Sequence, residues 1–231
     1  DPEASTNRVL EQMKQDLRLN ELPRHIECFD NSNTQGTDPV SACVVFKDAK
    51  PSKKDYRHFN IRTVEGPDDF ASMEEAVERR YARLLGEGEP LPQLVVIDGG
   101  KGQLHAATNV FDRLGLRGKI ALVGIAKRLE ELYFPDDPVP LHIDKRSSTL
   151  KVIQQMRDEA HRFGITHHRG KRSKRIIRTG LEDIPGIGPE TARKLLTRFG
   201  SVKGIKAAAM EDLVESVGAA KAALLKSAQP E

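Results

Sequence analysis

The chain has 231 residues, of which 31% are charged and 38% hydrophobic, which is the balance of a folded soluble protein rather than a disordered one. This length allows one large domain or two small ones. No apolar stretch is long enough for a membrane span, and the start has no secretory signal, so we expect a cytoplasmic protein without a membrane partner. Cys28 and Cys43 are too few for a disulfide framework or a zinc site, and we expect two reduced thiols.

The net charge of +3 is distributed unevenly along the chain. Residues 1–161 carry a net charge of −4, and residues 181–231 are neutral. Between them, residues 162–180 carry seven Lys or Arg and no acid. Such a run is either a solvated linker or a strap that binds nucleic-acid phosphates, and charge alone does not choose between them. We predict a domain over 1–161, a basic linker over 162–180 and a small domain over 181–231.

The elements predicted for the first domain follow from hydrophobic spacing in chain order. An amphipathic helix over 4–20, capped by Ser5 or Thr6, precedes β-like runs separated by turn residues. The β-like runs cover residues 25–30, 40–46 and 56–63 and predict an antiparallel meander. The elements that follow are a helix over 68–85, a strand over 94–97, a helix over 99–114, a strand over 120–125, a hairpin over 131–143 and a helix over 149–163. This order predicts an α/β fold in which a mixed sheet carries helices on its faces.

The helix predicted over 68–85 has an apolar stripe at steps of three and four residues. The stripe consists of Phe70, Met73, Val77, Tyr81 and Leu84. This spacing is what predicts a helix over the range.

Two aspartates and a histidine are the candidate catalytic and metal-binding residues. Asp30 and Asp98 each come directly after a predicted strand, and His161 lies on the last predicted helix. If the first and fourth strands are neighbours, their carboxyl ends bring both aspartates into one crevice, where they can hold Mg²⁺ or Mn²⁺ for phosphodiester hydrolysis. The histidine can complete the coordination or move a proton. The alternative is that each aspartate only caps a turn or a helix.

The run Gly99-Gly100-Lys101-Gly102 follows the second aspartate. It lacks the spacing and the trailing Ser or Thr of a Walker motif. Its glycines still allow backbone amides to approach a phosphate at a helix N-terminus, and Lys101 adds a positive charge. We therefore predict a DNA-backbone contact here.

The second domain is predicted to be helical and to contain a weak repeat. Residues 181–188 align with residues 213–220 at an offset of 32. In the first copy, Gly186 and Gly188 allow a tight turn that exposes backbone amides to a DNA phosphate. The alternative is an ordinary helix connector. The second copy has Ala220 in place of the last glycine, which predicts a strained or altered turn.

Further contacts of this domain with DNA are predicted from its charges. Arg193 and Lys194 on the helix after the first turn add charge to the same backbone contact. Lys171 and Arg172 of the basic run are expected to bind phosphates as well.

Three segments together resemble the C-terminal half of the UvrC family, the nuclease of bacterial nucleotide excision repair. The segments are residues 26–32 (IECFDNS), 95–104 (VVIDGGKGQL) and 157–162 (RDEAHR). The resemblance implies a ribonuclease H-like endonuclease domain followed by a tandem helix-hairpin-helix domain. It also implies incision on the 5′ side of a lesion in double-stranded DNA, with UvrB as the partner that loads the nuclease.

The resemblance assigns the catalytic triad to Asp30, Asp98 and His161, which act with a divalent metal. A further family carboxylate maps to Asp69, although Asp68 is adjacent and either could cap the following helix. Asn33 stands where many relatives carry His.

The sequence therefore predicts a metal-dependent DNA endonuclease joined to a DNA-binding domain that does not read sequence. The family's N-terminal half, which makes the 3′ cut, and a clear docking segment for UvrB are expected to be missing from this chain. One alternative is a DNA-binding scaffold on the same fold without a competent metal site. Another is a structure-selective or RNA-directed nuclease of a different pathway.

Overall fold

A computed structural model describes residues 1–32, 39–64, 68–181 and 184–227, with the side chains of 167–180 outside this description. Its contacts divide the chain into two units, Asp1–His168 and Arg169–Glu231. Both cysteines are buried free thiols. Within the described ranges, no helix is long and apolar enough to cross a membrane.

The first unit contains helices and strands in alternation, close to the predicted order. Its helices are α1 (Pro2–Asp16), α2 (Asp69–Glu87), α3 (Lys101–Leu114) and α4 (Ser148–Leu181), the last of which ends in the second unit. Its described strands are β1 (His25–Ser32), β2 (Val40–Lys47), β3 (Lys50–Pro51), β4 (Arg57–Asn60), β5 (Leu94–Asp98), β6 (Ala121–Ile125), β7 (Glu131–Tyr133) and β8 (Leu141–His142). A short 3₁₀ helix, Lys53–Asp55, precedes β4.

These strands form one mixed sheet, as predicted. Its order is β3-β2-β1-β5-β6-β7-β8, and β4 also pairs with β2. The pairs β1–β2 and β2–β4 are antiparallel, which confirms the meander, whereas β1–β5 and β5–β6 are parallel. In the β1–β5 pair, Ile26 lies opposite Leu94 and Phe29 lies opposite Ile97. The first and fourth predicted strands are therefore neighbours.

Strand alternation sorts the residues of β1 and β5 onto two faces. Ile26 and Cys28 of β1 pack into the core that α1 and α4 cover, together with Leu94 and Val96 of β5. Phe29 and its neighbours of opposite parity pack into the core that α2 and α3 cover. Two residues after Cys28 on the same face of β1 comes Asp30, and two residues after Val96 on the same face of β5 comes Asp98. Both carboxylates therefore lie on the α4 face.

Several predicted boundaries differ from the observed ones. Asp30 lies inside β1 rather than after it, because β1 continues to pair with β2 as far as Ser32. Asp98 is the last residue of β5. Helix α1 begins earlier than predicted, since the carboxylate of Asp1 accepts the hydrogen bond of the Glu3 N–H at 3.0 Å and caps it. The third predicted strand is shorter, at Arg57–Asn60.

The predicted basic linker is not an irregular connection. Helix α4 extends through it to Leu181, although the pattern predicted an end near residue 163. Lys and Arg are good helix formers and the stretch has no proline, so loss of the apolar stripe did not mean loss of the helix. The domain boundaries remain a prediction.

A buried carboxylate ties β1 to α2. Glu27 is 0% exposed and accepts two hydrogen bonds from Arg80, at 2.9 and 2.7 Å, and one from the Tyr81 hydroxyl at 2.9 Å. His25 lies 2.9 Å from the same carboxylate. Burial alone would raise the pKa of Glu27, but hydrogen bonds from His25 and Arg80 outweigh it and lower this pKa to about 2. Glu27 is therefore ionised inside the core.

The second unit is helical, as predicted. After the end of α4 it contains α5 (Pro189–Phe199), α6 (Val202–Ala207), α7 (Met210–Val217) and α8 (Ala219–Ser227). These helices share a small core of their own, whose buried members are Leu181, Ile187, Ala192, Leu195, Ile205, Leu213, Ala222 and Leu225.

Candidate active site and nucleic-acid interface

Asp30 and Asp98 lie at the carboxyl edge of neighbouring parallel strands. The side chain of Asp30 is 14% exposed. Burial and then the negative charge of Asp98 raise the pKa of Asp30 to about 6, against the opposing effect of His161. Burial also raises the pKa of Asp98. Two carboxylates that repel each other in a partly desolvated crevice favour a bound cation.

Helix α4 places two basic side chains over this pair. His161 Nδ1 lies 3.4 Å from Asp30 Oδ2, and the rest of its side chain is largely in solvent, at 72% exposed. Arg157, one helical turn earlier, lowers the pKa of both aspartates and donates a hydrogen bond to the Ala126 carbonyl at 3.4 Å. Asp158 is exposed and does not take the place of His161. Arg157 was not among the site residues predicted from the sequence, although its i, i+4 spacing to His161 indicates a shared helical face.

The donor chemistry of the pair fits a hard divalent cation. Mg²⁺ is usually held by one or two carboxylates, with waters and substrate phosphates completing its shell. Within the described residues, no three His, Cys, Asp or Glu side chains converge into a complete metal cage. Asp30 and Asp98 are thus the residues suited to hold the ion. His161 contacts Asp30 and does not form a preformed three-ligand group with the two aspartates.

The raised pKa of Asp30 predicts a pH-dependent cost in stability. Between pH 3.8 and about 6 the folded chain keeps a proton that the unfolded chain releases, so ionised Asp30 destabilises the fold as pH rises through this window. In chelator at pH 8, Asp30→Asn should therefore raise the free energy of unfolding, by up to about 3 kcal/mol. Urea unfolding at pH 4 and pH 8 measures this, and no gain is expected at pH 4.

Added Mn²⁺ supplies the internal control for that experiment. It should stabilise the unsubstituted protein and not the variant, since only the former keeps both carboxylates. A variant less stable than the unsubstituted protein at pH 8 in chelator would contradict the assignment of Asp30 as a destabilised carboxylate.

The turn of α4 that carries His161 is fixed to the sheet by aromatic contacts. The Tyr56 hydroxyl donates to Glu159 at 2.7 Å. His58 Nε2 lies 2.7 Å from the Phe163 carbonyl, and the two rings stack with centroids 3.7 Å apart. These contacts on both sides of His161 hold its backbone in place over Asp30.

Asp69, the possible further carboxylate, is the first residue of α2. Asp68 is the cap of α2, since its carboxylate accepts the Ala71 N–H at 3.0 Å. The Asp69 carbonyl accepts a hydrogen bond from Asn31 Nδ2 at 2.8 Å, and Asn31 also donates to Gln103 at 3.2 Å. The sequence analysis missed this bridge, although Asn31 directly follows Asp30 and must face the opposite side.

Two backbone amides of the glycine run after β5 are used within the fold. The N–H groups of Gly99 and Gly100 both donate to the Ile125 carbonyl, at 3.1 and 3.0 Å. Both glycines have positive φ, which lets the chain fold back against the end of β6. Lys101 donates to the Pro138 carbonyl at 3.1 Å, and its ammonium lies 5.2 Å from the centre of the Tyr133 ring. Lys101 is nevertheless exposed, so a contact with DNA remains a prediction.

The two hairpins of the second unit differ in geometry. Gly186 has φ +95° and precedes α5, whose N-cap is Gly188 with φ −90°. In the second hairpin Gly218 has φ +88° and α8 begins at the next residue. Ala220 therefore lies within a helix, and the strain predicted there is absent.

Arg193 and Lys194 are exposed on α5, whereas the side chains of Lys171 and Arg172 lie outside the described residues, as does Asn33.

The positive φ values rank the hairpin glycines for stability. An alanine at Gly186 or Gly218 must adopt a left-handed conformation, and each substitution should cost about 1–2 kcal/mol. An alanine at Gly188 meets open space at an ordinary φ and should cost less than about 1 kcal/mol. Thermal unfolding of the three variants measures the order, and a larger loss for Gly188→Ala than for Gly186→Ala would contradict it.

Comparison with known families decides what this arrangement belongs to. Residues 14–165 match the description "UvrC RNAse H endonuclease domain". This chain belongs to the UvrC family. Residues 179–228 match a "SAM-like Helix-hairpin-helix tandem", so the predicted ribonuclease H-like and helix-hairpin-helix folds are both confirmed.

Relatives named "UvrABC system protein C" extend over nearly the whole chain. The protein of Christiangramia forsetii is 65% identical over 97% of this chain, and that of Porphyromonas gingivalis W83 is 58% identical over 97%. The chain spans only 38% and 37% of the length of these two UvrC relatives. Among solved structures, human ENDOV is 10% identical over 71% of this chain and 99% of its own, with a TM-score of 0.38.

Proposed function

We propose that this chain is a divalent-metal-dependent DNA endonuclease module of nucleotide excision repair, which makes the incision on the 5′ side of a lesion. The observation that supports this most is the pair of carboxylates, Asp30 and Asp98, on adjacent parallel strands beneath His161, in a chain whose family description is an endonuclease domain. A catalytically silent scaffold would have no reason to keep two repelling carboxylates in one crevice.

Each side chain of the site has a distinct role in this proposal. Asp30 and Asp98 would hold Mg²⁺ or Mn²⁺, and a bound ion would supply activation of water and stabilisation of the leaving oxygen in phosphodiester hydrolysis. His161 combines a hydrogen-bond contact to Asp30 with an exposed ring, which suits it to carry a proton between the site and solvent. Arg157 offsets the repulsion between the two carboxylates.

The second unit supplies affinity for DNA without choosing the sequence. Within the described residues, the N–H groups of Gly186 and Gly188 donate to no other backbone group, so both are suited to bind a phosphate. Arg193 and Lys194 add charge on α5, and the basic stretch 162–180 adds a salt-sensitive contribution. Damaged duplex DNA and UvrB are the partners that the family relationship supports.

The test is incision of a lesion-bearing duplex already nicked on the 3′ side of the lesion, with the loading factors supplied. We expect a cut on the 5′ side only, dependent on Mg²⁺ or Mn²⁺. Parallel reactions on an undamaged bubble and on an RNA–DNA hybrid separate the alternatives. Preferential cutting of either would instead favour a structure-selective or RNA-directed nuclease, and no cutting of any substrate would favour the scaffold.

A further inference from the structure

Phe70 departs from the apolar stripe to which its spacing assigns it. Met73, Val77 and Tyr81 of α2 are fully buried, but Phe70 is 57% exposed. It lies in the first turn of α2. Single exposed apolar side chains are common on protein surfaces, so the contacts of this ring decide whether its exposure is informative.

The exposed ring has a specific seat. Gly102, in the first turn of α3, has no side chain, and a Cβ built on it would lie 2.4 Å from two atoms of the Phe70 ring. The ring therefore rests directly on the α3 backbone, which restricts its rotamers while its other side remains in solvent. An aromatic group held in this way loses little entropy when a second flat group stacks on it.

The seat is part of the edge that carries the carboxylates. Asn31, the neighbour of Asp30, bridges the Asp69 carbonyl and Gln103, and so joins the first turns of α2 and α3 to β1. Gly102 is four residues after Asp98. On the other side of the same α3 turn, Lys101 binds the Pro138 carbonyl next to Val139, which is 67% exposed. Two exposed apolar side chains, Phe70 and Val139, therefore lie near the first turn of α3.

We propose that Phe70 is a stacking platform for a nucleobase of the DNA strand that is cut. This subsite rests on the proposed nuclease function and deepens it. A base inside an intact duplex has no free face, so the platform accepts an unpaired or unstacked base, such as those next to a lesion or nick. Because every base has a π face, the contact selects for local opening of the duplex and not for sequence.

The first experiment measures stacking separately from cutting. The full chain carries Asp98→Asn to prevent incision, and the probe is a pre-nicked lesion duplex with 2-aminopurine beside the phosphate to be cut. We expect protein binding to quench the 2-aminopurine fluorescence, and Phe70→Leu to abolish the quenching and weaken affinity by about 5- to 100-fold. Phe70→Tyr should retain both within about twofold.

Leu85→Ala is the matched control, because Leu85 is an exposed apolar residue on the same helix. It lies fifteen residues after Phe70, about 22 Å away along α2, and should change neither signal. Equal quenching of 2-aminopurine by the Phe70→Leu variant and by the protein that keeps Phe70 would overturn the platform. Equal losses of quenching and affinity in Phe70→Leu and Leu85→Ala would also overturn it.

The second experiment moves the ring without changing it. Gly102→Ala should displace Phe70 from its seat and reduce quenching, whereas in a Phe70→Ala background the same change should have no further effect. Additive losses would show that Gly102 acts independently and would overturn the seat. Circular dichroism confirms that each variant is folded. If the nuclease proposal failed, the protein without the Asp98→Asn substitution would not cut DNA. The fluorescence and affinity measurements would still report on Phe70.

Discussion

Asp98→Asn should reduce the rate of lesion-dependent incision by about a thousandfold or more while DNA affinity changes by no more than a few-fold. The amide keeps the size of the side chain, but it removes a negative charge from a two-carboxylate site and with it the affinity for the metal. The phosphate contacts proposed for the second unit are untouched, so binding of the duplex should persist. Single-turnover incision and a binding titration at the same salt concentration measure the two quantities.

Asp158→Asn is the control for that substitution. Asp158 lies on α4 three residues before His161, but it is exposed. The Asp158→Asn variant should cut the lesion-bearing duplex at a rate close to that of the unsubstituted protein. Loss of incision in Asp158→Asn with retention in Asp98→Asn would place the reacting groups elsewhere on α4.

Glu27→Ala should lower the free energy of unfolding by about 3–5 kcal/mol. The substitution leaves the Arg80 guanidinium, which is only 13% exposed, without its two charged hydrogen bonds, and it leaves the buried Tyr81 hydroxyl without an acceptor. Urea unfolding at pH 7 measures the loss.

The control is Glu87→Ala, which removes an exposed ion pair with Arg83 on the same helix and should cost less than about 1 kcal/mol. Acid provides a second check. Glu27 has a lowered pKa in the fold, so its ionised form stabilises the protein above pH 4.5, and this contribution is lost as pH falls towards 2. The difference between the unsubstituted protein and Glu27→Ala should shrink over that window. A constant difference down to pH 2 would contradict the buried ion pair.

The convergence of the two aspartates could be predicted from the sequence, because it depends only on strand order and alternation. Asp30 continues the parity of Ile26 and Cys28, and Asp98 that of Leu94 and Val96, so parallel pairing of the two strands brings both carboxylates to one face. Approximate strand ends were sufficient, since an error of two residues at the end of β1 does not change the face of Asp30.

Other features depended on contacts that periodicity does not encode. The stripe of α2 predicted a helix, but its spacing does not show that Phe70 is exposed while Met73 is buried. Glu27 breaks the apolar pattern of a buried strand, and only the spatial arrival of Arg80 explains how it can be ionised there. The amides of Gly99 and Gly100 were expected to be free, yet the end of β6 uses both. The Arg80 side chain and the end of β6 are distant in sequence from Glu27 and from the two glycines, so hydrophobic spacing cannot reveal these contacts.

Titration of the isolated chain with Mn²⁺, followed by electron paramagnetic resonance of the free ion, tests the central claim most directly. The account predicts saturable binding at pH 8 that Asp30→Asn and Asp98→Asn each abolish and that Asp158→Asn leaves unchanged. It also predicts that binding weakens as pH falls below about 6, because a protonated Asp30 cannot serve as a ligand. Equal binding by all three variants and the unsubstituted protein would contradict the assignment of the Asp30–Asp98 pair as the metal site.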